Sequence, residues 1–95
     1  MKKKALLELV IATLLTKKVT EDGTVVDADC GCNIIDKDNP IMINGVEFNG
    51  IYKDEEGNFN LYNEDCDIDT CLDEGTPHHA VVHLAEILGI DTDQA

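Results

Sequence analysis

Strand-forming apolar residues, among them all phenylalanines and tyrosines of the chain, are concentrated between Pro40 and Tyr62, where polar positions and glycines interrupt them. Residues 41–43 lead into Asn44-Gly45, a dipeptide that supplies the two positive φ angles of a type I′ hairpin turn. Residues 46–53 then form the return strand, and residues 59–62 return as a third strand after a polar loop. The pattern predicts a three-stranded antiparallel meander over residues 40–62, around which the rest of the chain packs.

The register inside this meander has two interpretations. Phe48 and Ile51 fall on opposite faces of a regular strand, and Asn49-Gly50 lies between them, where the alternation slips. A β-bulge at Gly50 would restore the alternation. The alternative uses Asn49-Gly50 as the tight turn and leaves Asn44-Gly45 in a loop. We favour the bulge.

The N-terminal segment, residues 3–16, has the periodicity of a helix. Its apolar residues sweep more than half of the circumference, which is wider than a surface helix needs; they are Leu6, Leu7, Leu9, Val10, Ile11, Leu14 and Leu15. Such a helix has to be covered on two sides, by the meander and by either the C-terminal helix or a second copy of the chain. We therefore expect a homodimer through the N-terminal helix.

The order of residues at the N-terminus imitates a targeting signal. Lys2, Lys3 and Lys4 precede an apolar stretch of eleven residues, which is too short to span a bilayer. Glu8 interrupts that stretch, and no small-x-small cleavage site follows it. We interpret the segment as a retained helix of a cytoplasmic protein, not as a secretion signal or membrane anchor.

The C-terminal helix is predicted over residues 77–88. Thr76 suits the N-cap and Pro77 the first helical position, and Gly89 supplies the residue that ends the helix. One arc of this helix is apolar and forms the predicted core face, made of Ala80, Val81, Leu84, Ala85, Ile87 and Leu88. The opposite arc carries His79, His83 and Glu86.

The connecting segments are less regular. Residues 24–26 predict a short strand, residues 33–35 a brief edge strand, and residues 63–75 an acidic loop. The chain of 95 residues is therefore expected to form one small α+β domain. In this fold, an N-terminal helix (within residues 1–18) and a C-terminal helix (within 76–89) cover one face of the meander (40–62), and residues 91–95 form a tail.

Charge narrows the classes of function. The chain has 20 acidic residues against seven lysines, with no arginine, and a net charge of −13. Residues 1–18 carry +4 and residues 19–95 carry −17. Such a surface repels nucleic acids and anionic membranes, and it favours a protein partner with a basic surface. Because the chain has no serine and no Gly-rich phosphate loop, we expect no enzymatic activity and no catalytic residues.

Four cysteines and two histidines are the candidate metal ligands. Cys30 and Cys32 are separated by one residue and Cys66 and Cys71 by four, and the C-terminal helix adds His79 and His83 one turn apart. Thiolates and imidazoles are the ligands that tetrahedral zinc prefers, although zinc sites usually place two residues between paired cysteines. Reduced thiols without a cofactor, disulfides and a zinc site all remain open.

The sequence therefore supports two functions from different classes. The first is a small acidic, non-catalytic module that binds another protein as an accessory subunit or inhibitor, with mimicry of nucleic acid as one version. The alternative is a small zinc-binding domain that uses the cysteine pairs and the helix histidines.

Overall fold

The computed structural model describes residues 2–90 and has two helices and three small antiparallel sheets, which confirms the α+β class. The helices and strands are α1 (Lys3–Leu14), β1 (Lys18–Val19), β2 (Val25–Val26), β3 (Ile41–Ile43), β4 (Val46–Phe48), β5 (Gly50–Lys53), β6 (Phe59–Asn63), β7 (Ile68–Cys71) and α2 (His78–Ile87). The sheets are β1-β2, β3-β4 and β5-β6-β7. The predicted tail, residues 91–95, lies outside the described residues. No helix within residues 2–90 is long and apolar enough to cross a membrane.

The strands of the predicted meander belong to two different sheets. The turn at Asn44-Gly45 forms as predicted, with φ angles of 52° and 81°, and joins β3 to β4. The chain then leaves this ladder at Asn49, whose N–H donates to the carbonyl of Tyr62 at 3.0 Å, and β5 pairs with β6 instead. The predicted bulge is therefore replaced by a passage from one sheet to the next, which accounts equally well for the slip in alternation.

The third strand of the larger sheet, β7, lies in the segment expected to be an acidic loop. It pairs with β6 along its whole length, from Asn63 opposite Ile68 to Asn60 opposite Cys71. Its residues are exposed or half-buried, so the strand has no apolar face that would reveal it in the sequence. Residues 68–71 form a strand because their backbone N–H and C=O groups pair with those at the free edge of β6. This pairing does not depend on the polarity of the side chains.

The β1-β2 hairpin docks on the other edge of the β5-β6-β7 sheet. Thr24 forms a bridge with Tyr52, and the N–H of Lys53 donates to the carbonyl of Gly23 at 2.8 Å. The predicted strand at residues 24–26 is confirmed as β2. The predicted edge strand at residues 33–35 is reduced to one bridge, between Asn33 and Val26.

The core joins both helices to the inner faces of the sheets. α1 buries Leu6, Leu7, Val10 and Leu14, and α2 buries Ala80, Val81, Leu84 and Ala85, which belong to the predicted core face. The two helices pack against each other, and α2 also packs against β3. Ile51, Phe59 and Leu61 complete the same cluster from the three-stranded sheet.

The far side of α1 is only partly covered. Leu9 and Leu15 remain 40% and 58% exposed, whereas Ile11 packs against the core. The helix was predicted to be covered on two sides. Within a single chain only the side that packs against α2 and the core is covered. The homodimer stays a prediction.

The ends of α2 differ in how well the sequence predicted them. At its C-terminus Gly89 ends the helix as predicted, with a φ of 78°, and the N–H of Ile90 donates to the carbonyl of Ala85 at 2.9 Å, which together form a Schellman motif. At its N-terminus Pro77 occupies the cap position, and the prediction of Thr76 as N-cap is wrong. The Thr76 hydroxyl instead accepts the N–H of Asp73 at 3.1 Å, within the turn that precedes the helix.

Candidate functional site

The outer face of the β5-β6-β7 sheet carries the two tyrosines of the chain. Side chains alternate between the faces of a strand, so Ile51 and Leu61 point into the core while Tyr52 and Tyr62 point outward. The register places Tyr62 directly opposite Asp69 on β7. The rings of Tyr52 and Tyr62 meet edge to face, with centroids 5.6 Å apart and an interplanar angle of 61°.

Gly50 allows this arrangement because the ring of Tyr62 lies over its Cα. A Cβ atom at position 50 would come within 2.2 Å of the Tyr62 ring, far inside van der Waals contact. Gly50 is buried although it lies on the outer face of the sheet, since the ring covers it. The glycine therefore leaves the space that the Tyr62 ring occupies where it contacts Tyr52.

The two rings line a cleft of about 410 Å³ on this face. Four carboxylates line it as well, namely Asp22, Glu64, Asp67 and Asp69. Asp22 comes from the β1-β2 turn, Glu64 and Asp67 from the turn between β6 and β7, and Asp69 from β7. We call this site the tyrosine cleft. Its volume lies in the range typical of ligand sites, roughly 300–1,000 Å³.

Local hydrogen bonds hold two of these carboxylates in place. Asp22 accepts hydrogen bonds from the Thr20 hydroxyl and, at 3.2 Å, from the N–H of Thr24. These bonds, with that of Thr20 the largest, lower the pKa of Asp22 below its usual value, so it is ionised at neutral pH. Asp69 accepts the hydroxyl proton of Tyr52 at 3.2 Å. The cleft therefore has fixed negative groups beside two aromatic rings.

No lysine lines the tyrosine cleft in the part of the chain that the structure describes. Within those residues, the ion pair present joins Lys37 to Asp65, with 3.8 Å between Nζ and Oδ2, and both side chains are largely exposed. The four carboxylates of the cleft therefore face solvent without a cation from residues 2–90 to balance them.

Both tyrosine hydroxyls titrate above their ordinary range. Burial is the main factor that raises the pKa of Tyr62, and the charges of Glu64 and Asp22 raise it further. Burial also raises the pKa of Tyr52, followed by its hydrogen bond to Asp69 and the charge of that carboxylate. Both shifts have the same origin, because the phenolate form would be a further anion in a partly desolvated acidic site.

These shifts predict a loss of stability at alkaline pH. Below the ordinary pKa of 10.0, folded and unfolded chains both keep the phenolic protons, so the tyrosines contribute no pH dependence to stability there. Above it, the folded chain retains protons that the unfolded chain releases, so the free energy of unfolding falls as pH rises. We expect ultraviolet absorbance to detect tyrosinate at higher pH in the native protein than in denaturant. Coincident titrations would contradict this prediction.

The predicted metal ligands lie in three parts of the fold. Cys30 and Cys32 lie close together in an exposed loop, where the N–H of Cys32 approaches the sulfur of Cys30 at 3.3 Å. The neighbouring Cys30, through its hydrogen bond and its charge, raises the pKa of Cys32. This pair shares a small depression with Ile87 and Leu88, at the C-terminal end of α2.

The other candidates lie elsewhere. Cys66 is in the turn before β7 and Cys71 ends that strand, so the length of β7, about 10 Å, lies between them. Burial is the main factor that raises the pKa of Cys71. On α2, the imidazole Nε2 of His79 lies 3.1 Å from the carbonyl oxygen of Met42, and His83 is one turn further along the helix.

Within residues 2–90, no group of three or more histidine, cysteine, aspartate or glutamate side chains is arranged to hold a metal ion. The structure brings together Cys30 and Cys32, but it does not bring that pair to Cys66, Cys71 or the helix histidines. All four cysteines are free thiols. The zinc alternative stays a prediction from the sequence.

The residues of the tyrosine cleft were missed as a site by sequence reasoning. The sequence predicts that the tyrosines lie in the meander over residues 40–62, with a bulge at Gly50, and that the carboxylates lie in a turn and an acidic loop. The usable signal was parity, because Tyr52 and Tyr62 fall on the faces opposite to Ile51 and Leu61.

Comparisons of the chain with protein-family models, with curated proteins and with solved structures found no match.

Proposed function

We propose that this protein is a non-catalytic module that binds a partner protein with a basic surface, as an accessory subunit or an inhibitor. The observation that carries the proposal is the tyrosine cleft, where four carboxylates surround two aromatic rings and no lysine of residues 2–90 lines the site. A concave site of one charge attracts ligands of the opposite charge and accelerates their association.

The charge of the rest of the chain supports the same proposal. Residues 19–95 carry a net charge of −17, so the cleft is embedded in a broadly negative surface. Such a field steers a basic partner toward the protein, whereas the cleft supplies the desolvated contacts that distinguish one partner from another. An inhibitor of this kind would cover a site that otherwise receives nucleic acid phosphates.

The proposal predicts capture that depends on both salt and the cleft. The immobilised protein, mixed with a lysate of the cell that makes it, should retain a basic protein at low salt and release it as salt rises. A variant with the four cleft carboxylates neutralised should retain much less; it carries Asp22→Asn, Glu64→Gln, Asp67→Asn and Asp69→Asn. Amide side chains of the same shape preserve the hydrogen-bond acceptors, and asparagine tolerates the positive φ of 52° at position 67.

A control variant of equal charge separates the site from the overall field. It neutralises four exposed carboxylates outside the cleft, with the substitutions Glu8→Gln, Asp29→Asn, Asp38→Asn and Glu55→Gln. We expect the control to retain the partner. Equal losses in both variants would show that net charge alone drives binding, and the absence of any salt-sensitive partner would refute the proposal.

A further inference from the structure

We infer that the tyrosine cleft is a receptor for an arginine side chain of the partner protein. This inference rests on the proposed function and names the group that the cleft recognises. It follows from two features found together in the cleft, the half-buried edge-to-face pair of Tyr52 and Tyr62 and the exposed carboxylates around it.

Arginine matches both features better than lysine does. Its guanidinium is planar, so it stacks on a tyrosine ring, and its N–H groups donate in pairs to carboxylates in the same plane. An ammonium group is more strongly hydrated and donates without a preferred plane. In the cleft, Asp69 lies opposite Tyr62 on the neighbouring strand, and Glu64 follows Tyr62 by two residues along the chain.

The cleft offers room and acceptors for such a group. Its volume is about 410 Å³, and it opens to solvent on the outer face of the sheet. The Tyr52 hydroxyl uses its proton on Asp69 and retains lone pairs that accept a further hydrogen bond. A cation between the rings and the carboxylates would also relieve the repulsion among the four negative charges.

The guanidinium has to come from another kind of molecule, because this chain contains no arginine. A second copy offers only lysines, and residues 1–18 hold five of the seven. A preference for arginine over lysine therefore distinguishes a basic partner from self-association through the N-terminal helix.

Binding is measurable through the tyrosines themselves. The protein has two tyrosines and no tryptophan, so its intrinsic fluorescence reports on the cleft alone. The probes are three capped peptides of one sequence, Gly-Xaa-Gly-Xaa-Gly, with arginine, lysine or the neutral isostere citrulline at Xaa. We expect the arginine peptide to change the fluorescence and to bind at least about tenfold more tightly than the citrulline peptide, with the lysine peptide between them.

Three variants assign the binding to the cleft. Glu64→Gln with Asp69→Asn should weaken the arginine peptide about tenfold, whereas Glu8→Gln with Glu55→Gln, which removes the same charge outside the cleft, should have much less effect. Gly50→Ala adds a methyl group where the Tyr62 ring lies, so it should displace the ring and weaken binding without removing any charge. Circular dichroism checks that each variant is folded.

The outcomes distinguish this inference from the proposed function. Equal affinity for the arginine and citrulline peptides, or equal weakening in the two double variants, overturns the arginine site even if the basic partner is captured. Tighter binding of the lysine peptide overturns it in favour of a lysine segment, such as that of a second copy. If the arginine peptide binds selectively but no partner is captured from the lysate, the arginine site is supported and the proposed function is refuted.

Discussion

Replacement of Leu84 by aspartate is expected to unfold the protein. Leu84 lies on α2, is 1% exposed and belongs to the core cluster that joins both helices to the sheets. The substitution removes the packing of a leucine, worth about 2–5 kcal/mol when truncated to alanine, and places a carboxylate where it has no partner. Since a domain of this size is stable by only about 5–15 kcal/mol, the two losses together should exceed its stability.

The measurement is far-ultraviolet circular dichroism with thermal melting. We expect Leu84→Asp to lose helical signal and to show no cooperative transition, and Leu84→Ala to melt cooperatively at a lower temperature. Leu15→Asp is the matched control, because Leu15 is 58% exposed and its substitution should cost less than about 1 kcal/mol. If Leu84→Asp melted like the parent, the assigned core face of α2 would be wrong.

Replacement of Gly23 by alanine is expected to detach the β1-β2 hairpin from the sheet. Gly23 has a φ of 90°, and a Cβ atom there would lie 2.8 Å from the carbonyl oxygen of Lys53. The backbone of Lys53 also donates to the Gly23 carbonyl at 2.8 Å, so neither strand can move away without loss of that bond. We expect a decrease of about 2–4 kcal/mol in the free energy of unfolding, from backbone strain plus a lost hydrogen bond.

Gly57 supplies the control for backbone strain. It has the same φ of 90°, but the nearest atom to its Cβ position is the Cε of Lys53 at 4.0 Å. Gly57→Ala should therefore cost only about 1–2 kcal/mol, the strain of an alanine in the left-handed region. Urea denaturation of both variants measures the difference, and equal losses would contradict the close approach of Gly23 to Lys53. Because Asp22 precedes Gly23, the first variant should also weaken peptide binding at the tyrosine cleft.

Local signals in the sequence predicted several elements correctly. Helical periodicity located α1 and α2, and it assigned Ala80, Val81, Leu84 and Ala85 to the core face. Asn44-Gly45 predicted its turn because few dipeptides adopt two positive φ angles at low cost. Gly89 predicted the end of α2 for a similar reason, since the Schellman motif depends on adjacent residues. In each case the determining interactions lie within a few residues of one another.

The pairing of the strands depended on contacts between distant segments. The sequence around Asn49 contains a slip in alternation, but a bulge and a change of sheet produce the same slip. The tertiary structure decided for the change of sheet, because β4 pairs with β3 whereas β5 pairs with β6. Likewise β7 carries no apolar alternation, and it is a strand because β6 offers a free edge.

The sequence by itself determined the α+β class, the two helices, the buried face of α2, the turn at residues 44–45 and the acidic balance of the chain. The tertiary structure alone decided which strands pair and how the tyrosine cleft is built. The cleft combines Asp22, 30 residues or more from both tyrosines in the sequence, with Tyr52, Tyr62 and Asp69. Periodicity reports which face of an element is buried, whereas a site assembled from several elements depends on strand register and on close approaches such as that of Tyr62 to Gly50.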